Sequence, residues 1–284
     1  CFMMILSVQQ EMKLLDFLST HTDYSKKKIK SLFKFHAITL ENGKVLNFDD
    51  VVKKGEKVVI STEKKETKIG NIDIVYEDDN YLVVDKPCGM LTVSTDKERN
   101  RTLYHFVREY ANNKNKRERI FIVHRLDRET SGLVLFVKDE KLKQKLQEDW
   151  ENVALVREYT AVASGILEKK EGRLVHYLKE NSQHKVYVSP INGDGKKAIT
   201  NYQVLSEDKN SLLKLSLSTG RKNQIRVQLS YLNHPIVGDL KYGGCKAKRL
   251  YLHASKLVIC DPFTKKQLTF ISKPPREFKQ VLSI

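Results

Sequence analysis

Two apolar runs, Ile120–Val123 and Leu133–Val137, bracket the nine-residue segment His124-Arg125-Leu126-Asp127-Arg128-Glu129-Thr130-Ser131-Gly132. Runs of this length and composition predict strands. The segment between them is then a loop carried by a rigid strand pair. No other feature constrains the chain as much, because it demands a sheet that holds a titratable loop between two of its strands. Functional residues concentrate in loops presented this way. A structural turn closed by an Asp–Arg pair fits the same residues.

The pattern around that loop alternates strands with helices from residue 71 to 284. Ile72, Ile74 and Tyr76 alternate with Asp73 and Glu77, as in a half-buried strand. Asp78-Asp79-Asn80 turns the chain into a strand over Tyr81–Asp85. Leu103, Phe106, Val107 and Tyr110 form one helical face, and Leu142, Leu146 and Trp150 mark another helix. Further strands are expected at Arg157–Gly165 and Leu213–Leu217. No 20–50-residue repeat is present.

A second polar cluster, Ser218-Thr219-Gly220-Arg221-Lys222-Asn223-Gln224-Ile225-Arg226, follows a strand and opens a helix whose apolar positions are Ile225, Leu229 and Leu232. Backbone N–H groups at a helix start, with Arg221 and Lys222 beside them, suit a phosphate. The spacing is not that of a P-loop, and no G-x-G-x-x-G element or G-x-S-x-G elbow occurs. Nucleotide hydrolysis, dinucleotide chemistry and serine-hydrolase chemistry thus have no motif behind them. No His/Asp/Glu cluster has metal-ligand spacing. His253, in Leu252-His253-Ala254, reads as a hydrogen-bonded core histidine rather than a ligand.

Residues 11 to 62 read as a small α+β unit. Leu14, Leu15 and Leu18 give one helical stripe, and a second helix is expected from about Ser25 to Phe35 with Ile29, Leu32 and Phe33 inward. Lys26, Lys30 and Lys34 form a neighbouring stripe on that helix, and no acid interrupts Tyr24 to Ala37. A solvated lysine face and an anion-binding face both fit. Asn42-Gly43 between Ala37–Glu41 and Lys44–Leu46 predicts a hairpin, and Gly55 precedes a strand at Lys57–Ile60. Residues 63 to 70 are polar and read as a linker.

Charge then narrows the partner. The 284 residues carry 51 Lys and Arg against 35 Asp and Glu, a net +16. Such an excess points to nucleic acid or an acidic membrane surface, with a lysine-rich background as the alternative. Residues 1 to 70 hold 13 lysines against 9 acids, so most of the excess lies further on and is not a basic tail. No stretch approaches 18 consecutive apolar residues, so no membrane helix is expected. The opening apolar run lacks the basic region and cleavage site of a secretory signal, and a cytoplasmic location is the expectation. Cys1, Cys88, Cys245 and Cys260 lack C-x-x-C spacing and are expected to be buried, reduced thiols.

Taken in order, these motifs resemble the RluA/RluD-type pseudouridine synthases. Tyr76-Glu77-Asp78-Asp79 and Val83-Val84-Asp85-Lys86-Pro87-Cys88-Gly89-Met90 match the opening motif. His124 through Leu133 matches the catalytic loop almost residue for residue, and Arg157-Glu158-Tyr159 matches the K-x-Y element. Thr219-Gly220-Arg221 through Gln224-Ile225-Arg226-Val227, then His234 through Asp239 and Lys241-Tyr242-Gly243, match the third motif. Leu252-His253-Ala254 and Pro274-Pro275 close the pattern. Asn223 and Gln228 stand where that family often has His. The N-terminal unit resembles the small RNA-binding domain first named for a ribosomal small-subunit protein, through Leu15-Asp16-Phe17-Leu18, the lysine-rich helix, Asn42-Gly43-Lys44 and Lys54-Gly55-Glu56.

The resemblance implies an α+β protein. A catalytic domain built on a mixed, largely antiparallel sheet would span 71–284. It would follow an RNA-binding domain at 1–62 and a linker at 63–70. It implies isomerisation of uridine to pseudouridine in structured RNA, most readily large-subunit ribosomal RNA. Transfer RNA as substrate, or a non-catalytic ribosome-assembly role, are the alternatives. Asp127 would be the essential carboxylate, Arg226 its guanidinium partner and Tyr159 the aromatic stacked on uracil. Arg125 would fill the gap left by the extruded base. Arg221, Lys222, Lys26, Lys30 and Lys34 would contact RNA, and Leu252 and Ile225 would wall the pocket. No cofactor, metal, nucleotide or membrane is implied, and a monomer is expected.

Overall fold

The computed structural model describes residues 3–34, 37–41, 46, 48–61, 68–69, 71–96, 98–114 and 118–283. The chain divides into two compact units, Cys1–Thr67 and Lys68–Ile284.

In the first unit, strands Met3–Ser7, Lys57–Ser61 and Ile38–Leu40 form an antiparallel sheet with Lys57–Ser61 in the middle. Helices Leu14–His21 and Lys26–Lys34 close over it. Leu14, Phe17, Leu18, Ile29, Leu32, Ile38, Val58 and Ile60 make its core. Burying Ile29 and Leu32 fixes the rotation of the second helix and turns Lys26 and Lys30 out to solvent. The Lys34 side chain and the Asn42-Gly43 turn lie outside the described residues. The chain beyond that turn does return, because Leu46 N–H donates to Ile38 C=O at 3.0 Å.

The second unit is built on a twelve-stranded sheet. Its pairings are antiparallel except one: Ser131–Val137 runs parallel to Leu252–Cys260, in register only at Ser131–His253 and Gly132–Ala254. Why Leu133–Val137 is apolar without alternation is now clear. Val134 and Phe136 face one core with Leu82, Val84 and the helix Leu103–Lys114. Leu133, Leu135 and Val137 face the opposite core with Val83 and the helix Glu140–Glu148. A strand covered on both faces needs apolar residues at every position. The Glu140–Glu148 helix starts at Asp139, whose Oδ1 accepts from Leu142 N–H at 2.8 Å.

Three expectations change. Trp150 does not continue the helix of Leu142 and Leu146. Asp149 leaves helical geometry at φ −133°, ψ 38°, and Trp150 opens a separate turn, Trp150–Val153, with its ring stacked on His124. Lys68–Ile69, inside the expected linker, is a short strand paired with Ile72–Glu77. The three described cysteines are free thiols, but none is buried and Cys245 is exposed, because Cys88 and Cys245 lie in connecting segments and Cys260 at the end of a strand rather than in a core. Among the described residues, no helix is long and apolar enough to cross a membrane.

Candidate active site

The loop after Phe121–Ile122 is fixed on both sides of Asp127. Thr92 Oγ1 donates to Leu126 C=O at 2.6 Å and accepts from Leu126 N–H at 3.2 Å, while the Leu126 side chain is buried. On the other side, Arg128 C=O accepts from Gly89 N–H and from Lys86 Nζ, both at 2.9 Å. Lys86 is fully buried and also donates to Pro87 C=O and Met90 C=O. Burial pushes its ammonium down to about 8. The loop rejoins the sheet at Gly132, at φ +114°, where a Cβ would lie 2.4 Å from Ala254 O. Only glycine fits that crossing.

Opposite Asp127 stands the helix Gln224–Tyr231. Arg226 projects from its first turn. Its Nε and Nη2 each donate to a carboxylate oxygen of Asp239 at 2.7 Å, and Asp239 is itself buried. Asp127 Oδ2 is 3.6 Å from Arg226 Nη1. The Arg–Asp pair expected from the resemblance is thus a triad. Asp239 holds the guanidinium in a two-pronged grip, and the remaining nitrogen faces Asp127. Burial opposes the charge on Arg226, but the Asp239 carboxylate outweighs it and moves its pKa upward. Asn223 Oδ1 accepts from Arg226 Nη1 at 3.2 Å, and Asn223 Nδ2 donates to Tyr242 Oη at 3.0 Å. The Tyr242 ring lies under the guanidinium, 5.1 Å from centroid to Cζ. Gln228 is fully buried and bonds Thr200, Ala198 and His176, so it braces the helix from inside.

Tyr159 comes from the strand Val156–Ser164. Register with Leu252–Cys260 slips between Glu158 and Tyr159, a bulge that leaves Ser255 of the partner strand as the extra residue beside the tyrosine. Burial pushes its phenol up to about 12, so it is protonated at neutral pH. Beside it, burial and Arg157 hold His124 down at about 4. Its Nε2 accepts from Leu135 N–H at 3.1 Å, which places the proton of the neutral ring on Nδ1.

A cavity of about 440 Å³ joins these elements. Asp127, Tyr159, Arg226, Arg125, Arg221, Lys222, Ile225 and Leu252 all line it, so eight positions singled out from the sequence converge. Not all the cations are free. Lys222 pairs with Glu180, and Arg221 pairs with Glu151 at 3.5 Å and donates to Lys197 C=O. Arg125 is exposed at the rim. Lys26 and Lys30 belong to the other compact unit. Among the described residues, no group of three or more His, Cys, Asp or Glu is placed to hold a metal.

Comparison with known proteins identifies this architecture. Residues 80–231 match the family model described as RNA pseudouridylate synthase. The chain is 32% identical over 276 residues to the uncharacterized RNA pseudouridine synthase YhcT of Bacillus subtilis, covering 93% of this chain and 90% of the relative. The chain belongs to the RNA pseudouridylate synthase family. It is 31% identical to the ribosomal large subunit pseudouridine synthase D of Haemophilus influenzae, over 92% of this chain and 87% of that one. The structure of human RNA pseudouridylate synthase domain containing 4 superposes with a TM-score of 0.62 at 25% identity, covering 74% of this chain and 91% of that chain. As a pseudouridine synthase the protein is an isomerase that converts uridine in RNA to pseudouridine.

Sequence reasoning gave no role to two residues that hold this candidate site together. Asp239 lies in a quoted motif, and its Gly-Asp pair was the available signal. Gly238, at φ +84° with a Cβ position 1.8 Å from Arg249 O, makes the close turn that delivers it. Lys86, after Asp85, ends a strand that opens on the apolar run Tyr81-Leu82-Val83-Val84, and it is the fully buried cation there.

Proposed function

We propose that this synthase acts on ribosomal RNA in the cytoplasm, with Asp127 as the essential carboxylate. The observation that carries the reading is the cavity in which Asp127, Arg226 and Tyr159 converge on one small space. The reaction breaks the N1–C1′ bond of a uridine, turns the uracil, and joins C5 to C1′. The proton on C5 is lost and N1 gains one, so the change is an isomerisation. A carboxylate held on a fixed loop can attack or take a proton without the cost of ordering itself. Arg226 keeps a positive group 3.6 Å from that carboxylate while Asp239 carries most of its own charge balance. Tyr159 offers the ring face against which uracil turns, and Ile225 and Leu252 supply apolar walls. The target base has to leave its stack to enter, and Arg125 at the rim is the group suited to fill the gap. The unit at Cys1–Thr67 acts as the RNA-binding domain, gripping phosphates through Lys26, Lys30 and Lys34. Ribosomal RNA is favoured because the similar Haemophilus influenzae enzyme is a large-subunit synthase.

The test is Asp127→Ala. Pseudouridine formation is expected to vanish while RNA binding persists. Product at the wild-type level from this variant overturns the assignment of Asp127. Mapping pseudouridines in cells with and without the protein decides the RNA class, and a lost signal confined to transfer RNA overturns the ribosomal reading.

A further inference from the structure

A second cavity, of about 270 Å³, adjoins the first and shares Arg125, Tyr159, Leu217, Gly220 and Arg221 with it. Its inner wall holds Arg157. Only 8% of this residue is exposed, and its Nη2 donates to Ser218 C=O at 3.0 Å. Its Nε is buried with no hydrogen-bond partner, and no carboxylate reaches ion-pair distance of it among the described residues. A guanidinium always carries its charge and offers five donors. Burying one without a counter-anion is costly, and native proteins seldom leave such a group unmatched. The rest of the wall has the same sign. Arg125, Arg221 and Lys256 line the cavity, against Glu158 as the single acid in its lining, and Arg221 pairs with Glu151. Burial above all moves the Arg157 pKa down; the charge of Glu151 opposes the shift and that of Arg221 adds to it. Gly220 keeps the space open: a Cβ there would lie 3.0 Å from Arg157 Nη1. The stacked pair of Trp150 and His124, with ring centroids 5.0 Å apart, also lines the cavity.

We propose that this cavity is a phosphodiester subsite, in which Arg157, with Arg221 and Lys256, holds the backbone phosphate next to the target uridine. The proposal rests on the reading of the first cavity as the uridine pocket. Because the two cavities meet along Tyr159, a nucleotide whose base lies on that ring has its neighbouring phosphate within reach of the second. The arrangement gives Arg157 the anion it lacks and fixes the strand as the base turns. It also uses a charge that the isomerisation itself does not touch.

Trp150 is the chain's one tryptophan and lines the subsite, so its emission reports occupancy directly. The probe is the trinucleotide UpUpU, compared with the same trinucleotide carrying neutral methylphosphonate links. The wild-type protein is expected to change its Trp150 emission with UpUpU and to bind the neutral form about tenfold or more weakly. Arg157→Gln is expected to bind both forms with the same weak affinity, and Arg157→Lys to retain part of the discrimination. Arg221→Gln, at a half-buried position on the rim, is expected to lower the ratio several-fold, and it keeps the test in force if the Arg157 variant is unstable. The proposal is overturned if wild-type emission does not respond, or if Arg157→Gln or Arg221→Gln keeps the full preference for the charged form. An active Asp127→Ala would instead overturn the catalytic reading, which this binding measurement does not depend on.

Discussion

Asp239→Asn is the sharpest perturbation of the site. The change keeps the shape of the side chain and removes its charge. Asp239 uses both oxygens on Arg226, at 2.7 Å each, and neither partner is solvated: the side chains are 0% and 10% exposed. Asparagine keeps one acceptor and turns an NH₂ toward a guanidinium N–H. Removing one member of a buried pair costs about 3–5 kcal/mol. Asp127, 3.6 Å from Nη1, compensates in part, so the expected loss is about 3 kcal/mol, at the lower end of that range. For a domain of this size that lowers the melting temperature by about 6–12 °C. The guanidinium also loses the grip that held it, and closes on Asp127. The rate constant kcat is then expected to fall about 10–100-fold with KM little changed. Circular dichroism melting and single-turnover pseudouridine formation read the two effects. The double variant Arg226→Met/Asp239→Leu removes both charges, and is expected to regain stability while staying inactive. A single-variant melting shift below 2 °C, or a double variant no more stable than Asp239→Asn, refutes the reasoning.

Three other outcomes follow from the geometry. His253 bonds Ser131 and Ser272 in the core, and burial holds it down at about 4, as it does His124. The unfolded chain takes up these protons below about pH 6.5 and the folded chain does not. Stability is therefore full above that pH and declines toward pH 4, by about 3 kcal/mol for each imidazole; urea midpoints at pH 7.5 and 5 measure it, and His253→Gln should flatten the decline. Thr92→Val leaves both backbone groups of Leu126 unpaired, and is expected to cost about 2 kcal/mol and to lower kcat without raising KM, as steady-state kinetics will show. Changing Lys26, Lys30 and Lys34 to Gln is expected to reduce the salt slope of RNA binding by about 2; an unchanged slope in filter-binding titrations means this helix faces solvent.

Much of the fold was legible because it depends on local pattern. The strand pair around the loop, the helix Leu103–Lys114 and the amphipathic Lys26–Lys34 helix follow from periodicity, and the structure places each where the pattern put it. The strands Glu171–Glu180, Lys196–Glu207 and Gln267–Ile271 were not read out, since much of their surface is exposed and polar and their pairing is set by neighbours far away in sequence. Trp150 shows the same limit on a small scale: helical spacing fitted it, but a stacking partner 26 residues away drew it out of the helix.

What the sequence determined by itself was the inventory: a charge of +16, a titratable loop between apolar strands, and ordered motifs that carry Asp127, Tyr159 and Arg226. Only the tertiary structure decided who meets whom. It gave Arg226 to Asp239 before Asp127, enclosed Lys86 under the loop, and left Arg157 buried beside a second cavity without an anion. The physical reason is that residue type fixes what a group can donate or accept. Burial and distance, which set the strength of each interaction, arise only when strands distant in sequence pair into one sheet.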